Sequence, residues 1–143
     1  AVLTMYKAVG LNVKLRVVEA GPALHYRVKP YVKVGPYTYL NQHGNKMGDA
    51  AYSVYLRYHC NGQQSSTCDK KVDDLIEKAQ VATGEARRKL WQTVLKIVHE
   101  EHVPDVNLFH MVGYARVGKR INFKPSFLTP DEVQVAQITF RKQ

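Results

Sequence analysis

The stretch DKKVDDLIEKAQVATGEARRKLWQTVLKIVHEEH, residues 69–102, carries the clearest periodic signal in the chain. Val72, Leu75, Ile76 and Ala79 recur at steps of three and four, which puts them on one face of a helix. Asp69 stands just before that run, where its carboxylate can accept a bond from an early backbone N–H. ATGE (82–85) breaks the pattern. It resumes from about Glu85 to Glu101, with Leu90, Trp91, Val94, Leu95, Ile97 and Val98 facing inward and Pro104 beyond as the terminator. The basic ARRK (86–89) lies near the start of this helix, where the macrodipole disfavours cations. These side chains either meet acidic groups nearby or are solvated.

Upstream of this pair lies HCNGQQSSTCDKK (59–71), which holds both cysteines of the chain. The residues between Cys60 and Cys68 are all small or polar, so the loop can fold back and bring its ends together. In an oxidising compartment the pair reads as a disulfide closing a short ring, worth about 2–3 kcal/mol by loop entropy. Free thiols and a zinc site with His59 are the alternatives, although the spacing lacks the Cys-x2-Cys geometry of common zinc motifs.

Further upstream, YLNQHGNKMGDAAYSVY (39–55) joins a short buried strand, Tyr37–Leu40, to a helix. Tyr52, Tyr55, Leu56 and His59 mark the inner face of that helix, and Asp49 is placed to cap it. Gly44 and Gly48 fit neither dinucleotide nor P-loop spacing, so they read as turn residues able to adopt positive φ. A loop at the carboxyl end of a strand in an α/β sheet is nevertheless the usual place for a ligand. Asn41, Gln42, His43, Asn45, Lys46 and Asp49 are therefore the candidate ligand-binding residues. The cap role of Asp49 is the stronger of its two readings.

The remaining segments suggest strands. In LNVKLRVVEA (11–20), Leu11, Val13, Leu15 and Val17 alternate with Asn12, Lys14 and Arg16, the period of a half-buried strand. The preceding AVLTMYKAVG (1–10) reads as the last turns of a helix stopped by Gly10. Such an abrupt opening suggests an excised, processed or truncated piece. GPALHYRVKPYVKVGP (21–36) suggests a short helix and then an irregular crossing. VPDVNLFHMVGYARV (103–117) reads as a strand, KRINFKP (119–125) as a loop with a short extended piece, and DEVQVAQITFRKQ (131–143) as a final strand. Alternating strands and helices place the chain in the α/β or α+β class.

The bulk numbers agree with one globular unit: 143 residues, 45% hydrophobic and 23% charged. No apolar run approaches the roughly 20 residues of a membrane span, and no signal peptide is visible. Twenty-one Lys and Arg against 12 Asp and Glu give a net charge of +9. Such an excess suits nucleic acid, anionic membranes or acidic ligands, yet no run of five or more cations occurs, so a generally solvated basic surface is the simpler reading. HEEH (99–102) spaces His99 and His102 by three, not by the four of H-E-x-x-H, and a third metal ligand is not evident. The tyrosines of YTYL (37–40) and YSVYLRY (52–58) read as core or cleft wall rather than a base-stacking platform.

The ordered series CDKKVDDLIEKAQVATGEARRKLWQTVLKIVHEEHVPDVNLFHMVGYARV (68–117) resembles the C-terminal part of the periplasmic oligopeptide and dipeptide solute-binding proteins of ABC importers, solute-binding protein family 5. That family shows an N-P-E-V-D-x-L-I-like helix start, a break, a W-Q-containing helix, a V-P strand and a V-x-G-F-like loop. GLNVKLRVVEA (10–20) is similar to the unit that opens the family's second lobe. The resemblance implies an α/β class II periplasmic-binding-protein fold, a mixed sheet flanked by helices. It also implies that residues 1–102 belong to the second lobe and 103–143 to a hinge and strands returning to a first lobe. It further implies a Cys60–Cys68 disulfide, a periplasmic address, capture of a small peptide-like or polar solute, an ABC permease as partner, and neither catalysis nor a cofactor. In peptide-binding members the segment matching 41–49 reads like G-W-x-x-D-Y-x-D-P, and its first aspartate holds the ligand's amino group. Aligning the second D-P on Asp49–Ala50 puts Lys46 at that aspartate and His43 at the tryptophan. A lysine repels an ammonium group in a dehydrated cleft, so the expected ligand is anionic or a polyol. The piece by itself is expected to bind little, and its unpaired strands could exchange between copies into a dimer. A basic nucleic-acid or polyanion-binding module is the alternative function. A small metal-dependent hydrolase using His99 and His102 is a third.

Overall fold

The computed structural model describes residues 1–45, 47–125 and 133–141. It divides into two units, Ala1–Asn41 and Gln42–Gln143. The first holds two short helices, α1 (Val2–Ala8) and α2 (Ala20–Arg27), neither of which buries a residue. Gly10 at φ 84° ends the turn after α1, a conformation open to glycine at no steric cost. A small aromatic cluster ties residues 16–37 together. The Tyr26 and Tyr37 rings meet edge to face at 5.2 Å, the Tyr37 hydroxyl donates to the Tyr26 carbonyl at 3.1 Å, and the Arg16 guanidinium lies 5.9 Å from the Tyr26 ring centre.

The second unit is built on three helices: α3 (Ala50–Tyr58), α4 (Lys70–Val81) and α5 (Gly84–Ile97). Val54, Val72, Ile76, Ala79, Trp91, Val94, Ile97 and Val98 form its core. The link Ala82–Thr83 is too short for α5 to do other than fold back on α4. Ile76 and Val94 are fully enclosed, and burying each aliphatic side chain is worth about 1.5–3 kcal/mol. Two caps stand as the sequence suggests: Asp49 accepts from Ala51 N–H at 2.7 Å and Asp69 from Lys71 N–H at 2.8 Å. The inner face of α4 is the expected one. On α5, Leu95 faces solvent at 44% exposure. On α3, the buried side chain is Val54, while Tyr52 is exposed. The bulky neighbouring tyrosines conceal Val54 in the periodic pattern.

The ordered helix continues past Ile97 as one π-turn, Val98–His102, closed by Val103 N–H donating to the Val98 carbonyl at 2.8 Å. Val103 then takes a left-handed conformation, φ 44° and ψ 48°. A β-branched residue there is strained by about 1–2 kcal/mol. The helical segment thus ends at the residues just before Pro104, where a proline terminator places it.

The α/β expectation fails. The described residues are mostly helical, and their sheet is one antiparallel pair, β1 (Ile121–Asn122) with β2 (Thr139–Phe140), in register Ile121↔Phe140 and Asn122↔Thr139. Residues 11–17, 37–40 and 103–117 are not strands. The physical reason is that a strand exists only in its ladder: without a hydrogen-bonded neighbour, the period-two signal has nothing to stabilise it. Leu15 and Val17, expected to be half-buried, are 72% and 87% exposed. The expected final strand over 131–143 survives only as β2, preceded by a 3-10 turn at Val135–Gln137. Residues 131, 132, 142 and 143 lie outside the described set.

Candidate functional site

The polar turn before α3 is organised by its caps. Gly48 N–H donates to the Asn45 carbonyl at 3.1 Å, and Gly48 adopts φ 66°. This brings Asp49 into place at the head of α3. The Asp49 Oδ1 atom accepts from Ala51 N–H and also from Arg87 Nη2 of α5, at 2.7 Å each. The Arg87 hydrogen bond, followed by the backbone one, holds the Asp49 carboxyl below its ordinary pKa. The Arg87 guanidinium also lies over the Trp91 ring, 5.5 Å from its centre. Asp49 is thereby committed to joining α3 to α5. The ARRK cations do meet acidic groups: Arg87 meets Asp49, and Arg88 meets Glu85 at 2.6 Å.

His43 is the predicted site residue that the fold connects to others. Its Nε2 lies 2.9 Å from Ser53 Oγ on α3. Arg57 lies one turn beyond Ser53 on the same helix, so both project from one side of α3. Arg57 clamps Asp105 through both guanidinium Nε (3.3 Å) and Nη2. Partial desolvation, then the nearby Arg57 charge, lowers the pKa of His43 from its ordinary value, and Asp105 offsets this in part. Burial, reinforced by the Asp105 carboxylate, raises the Tyr58 hydroxyl. A ring nitrogen, a hydroxyl and a guanidinium therefore converge beside the turn. Ser53, Arg57 and Asp105 are absent from the sequence-derived site. The available signal was the four-residue spacing of Ser53 and Arg57 on the helix that follows the polar turn.

Of the other predicted residues, Asn41, Gln42 and Asn45 do not join this cluster. Asn41 closes the first unit, and Gln42 and Asn45 are exposed side chains of the turn. Lys46 lies outside the described residues.

Cys60 and Cys68 form a disulfide, with Cα atoms 4.5 Å apart. The ring it closes is packed on the end of α3. Gln64 N–H donates to the Leu56 carbonyl at 3.0 Å, and Cys60 N–H donates to Asp73 Oδ1 at 2.9 Å. Gly62 is demanded by close approach, since a Cβ there would sit 2.3 Å from the Tyr55 carbonyl oxygen. His59 is buried and stacks on Tyr55 with ring centres 4.3 Å apart. Its Nδ1 accepts from Asn61 N–H at 3.0 Å, which leaves Nε2 to face Glu77 at 3.4 Å. His59 thus staples the loop to α4. In the HEEH segment, His102 Nε2 pairs with Asp69 Oδ2 at 3.0 Å, and His99 is exposed. No group of three His, Cys, Asp or Glu able to hold a metal occurs among the described residues. No helix among them is long and apolar enough to cross a membrane.

No family model, curated protein or solved structure matches the chain.

Proposed function

We propose that this chain serves non-catalytic capture of a small polar solute for an ABC importer in the periplasm, and that the solute carries an anionic or polyol group. The reading rests on the ordered motif series over residues 68–117 together with the polar turn. The observation that carries it is the convergence of His43, Ser53 and Arg57 on one side of α3. His43 and Ser53 offer hydrogen-bonding groups to a ligand, and Arg57, whose charge is paired with Asp105, has further guanidinium N–H donors for a polar oxygen. The formed Cys60–Cys68 disulfide supports an oxidising compartment. The mixed-sheet architecture is no part of the proposal.

The test uses the protein at its full natural length, purified without denaturation from the cell that makes it. Small molecules released on unfolding are identified by mass spectrometry. The expected result is one polar solute in near-stoichiometric amount, retained at least tenfold less by a Ser53→Ala, His43→Ala variant. The proposal fails if no solute is released from the native protein, and it yields to the polyanion-binding alternative if nucleic acid copurifies and is shed steeply with salt.

A further inference from the structure

The positive charge of this chain is unevenly placed. From Asp49 to Asp105 the sequence holds nine acidic residues against eight basic ones, so the helical trio is close to neutral. From Val106 to Lys124 it holds four cations, Arg116, Lys119, Arg120 and Lys124, and no Asp or Glu. All four are exposed, and no ion pair among the described residues engages them. The β1–β2 pairing adds a fifth: Arg141 N–H donates to the Arg120 carbonyl at 3.0 Å, so Arg141 stands beside Arg120. Like charges gathered with no compensating carboxylate among the described residues favour an anionic partner over bare solvent.

Just ahead of this basic block lies an apolar one. Leu108, Phe109, Met111, Val112 and Tyr114 are all exposed, Tyr114 to 95%, and Phe140 stands 77% exposed on β2 next to Arg141. A run of exposed apolar side chains, close together in sequence on a protein with a good core, is suited to an interaction surface. The order of the two blocks discriminates between polyanions. Single-stranded nucleic acid is held by cations interleaved with aromatic platforms. Here Leu108, Met111 and Val112 cannot stack bases, and the four cations follow the 108–114 block rather than alternate with its rings. An apolar stretch followed by a cluster of cations is the two-part signal that an anionic bilayer recognises. The apolar side chains enter the headgroup–acyl boundary and the cations meet lipid phosphates.

We propose that residues 106–124, with Phe140 and Arg141, form a docking surface for an anionic lipid bilayer. The surface acts independently of the solute proposed above. It holds the protein at the membrane face reversibly, since one short apolar segment and about five cations give binding far weaker than a spanning helix.

The test is flotation of the full chain with vesicles of phosphatidylcholine alone, and of phosphatidylcholine mixed equally with phosphatidylglycerol. The protein floats with the mixed vesicles only, and raising salt from about 0.05 M to about 0.5 M releases it by screening. Each cation near the surface contributes a factor of about five in binding. Arg116→Gln, Lys119→Gln, Arg120→Gln and Lys124→Gln together therefore reduce binding by several hundredfold, on the order of 5 to the fourth power. Phe109→Ser with Val112→Ser weakens binding and leaves its salt dependence in place. All these positions are exposed, and an unchanged helical circular-dichroism signal verifies that the variants fold. Equal flotation with both vesicles overturns the proposal, as does an unchanged quadruple variant. It is also overturned if the protein pellets without vesicles, which assigns the surface to a second copy. Finally, it is overturned if single-stranded RNA strips the protein from vesicles and binds the Phe109→Ser, Val112→Ser variant undiminished.

Discussion

Helix α4 and the segment 11–17 have equally regular apolar patterns, yet only one of them forms regular structure. In α4 the apolar side chains meet α3 and α5, and Val72, Ile76 and Ala79 are enclosed. In 11–17 the alternating Leu11, Leu15 and Val17 face solvent, on a backbone with no ladder partner. The difference lies in where the hydrogen bonds go. A helix satisfies its backbone within itself and needs only one packing face, which a neighbour two residues along can supply. A strand needs its backbone partner and its packing partner at once. Stability in this molecule is therefore concentrated between Ala50 and His102.

Four substitutions probe that contrast. The largest effect belongs to the core: Ile76→Ala, at a site with no exposure, removes buried methylenes and leaves a cavity, at a cost of about 2–5 kcal/mol in a chemical denaturation curve. Next is the disulfide. Replacing Cys60 and Cys68 together by serine costs about 2–3 kcal/mol, in line with a short closed loop. The loss falls at the low end because the loop keeps its own bonds from Gln64 to Leu56 and from Cys60 to Asp73. Third, Asp49→Ala removes the cap of α3 and costs about 1 kcal/mol at neutral pH. The folded Asp49 carboxyl titrates below its ordinary value, so the unfolded chain binds the proton more readily. Its contribution is complete above the ordinary carboxylate range and is lost as pH falls through the folded value. Denaturation midpoints of wild type and Asp49→Ala thus converge in acid and separate at neutral pH. The smallest effect is Val17→Ser, within about 0.5 kcal/mol of wild type, since Val17 buries almost nothing. A cost near 2 kcal/mol there would mean that 11–17 is a packed strand after all.

The same contrast explains what was legible in the sequence. Features set within a few residues were readable: the Asp49 and Asp69 caps, the inner face of α4 and the stop at Gly10. The disulfide was among the open readings of its loop. Features set by distant neighbours were not. Val54 hides among tyrosines, and its burial depends on α4 and α5 arriving beside it. Asp49 was expected to face a ligand or a cap, but its second bond comes from Arg87, 38 residues away. The site was half visible. His43 stood out as a polar residue in a turn, whereas Ser53 and Arg57 looked like ordinary helix surface until the turn folded onto them. The strands failed for the reason given above, and the resemblance to a sheet-containing family reinforced that error.

Hydrogen exchange followed by mass spectrometry tests the concentration of stability most directly. The expected result is slow exchange confined to peptides from residues 50–102, with the amides of 11–17 and 106–117 exchanging at rates close to those of an unfolded chain. Strong protection over 11–17 and 106–117, comparable with that of α4, would contradict the account and restore a sheet.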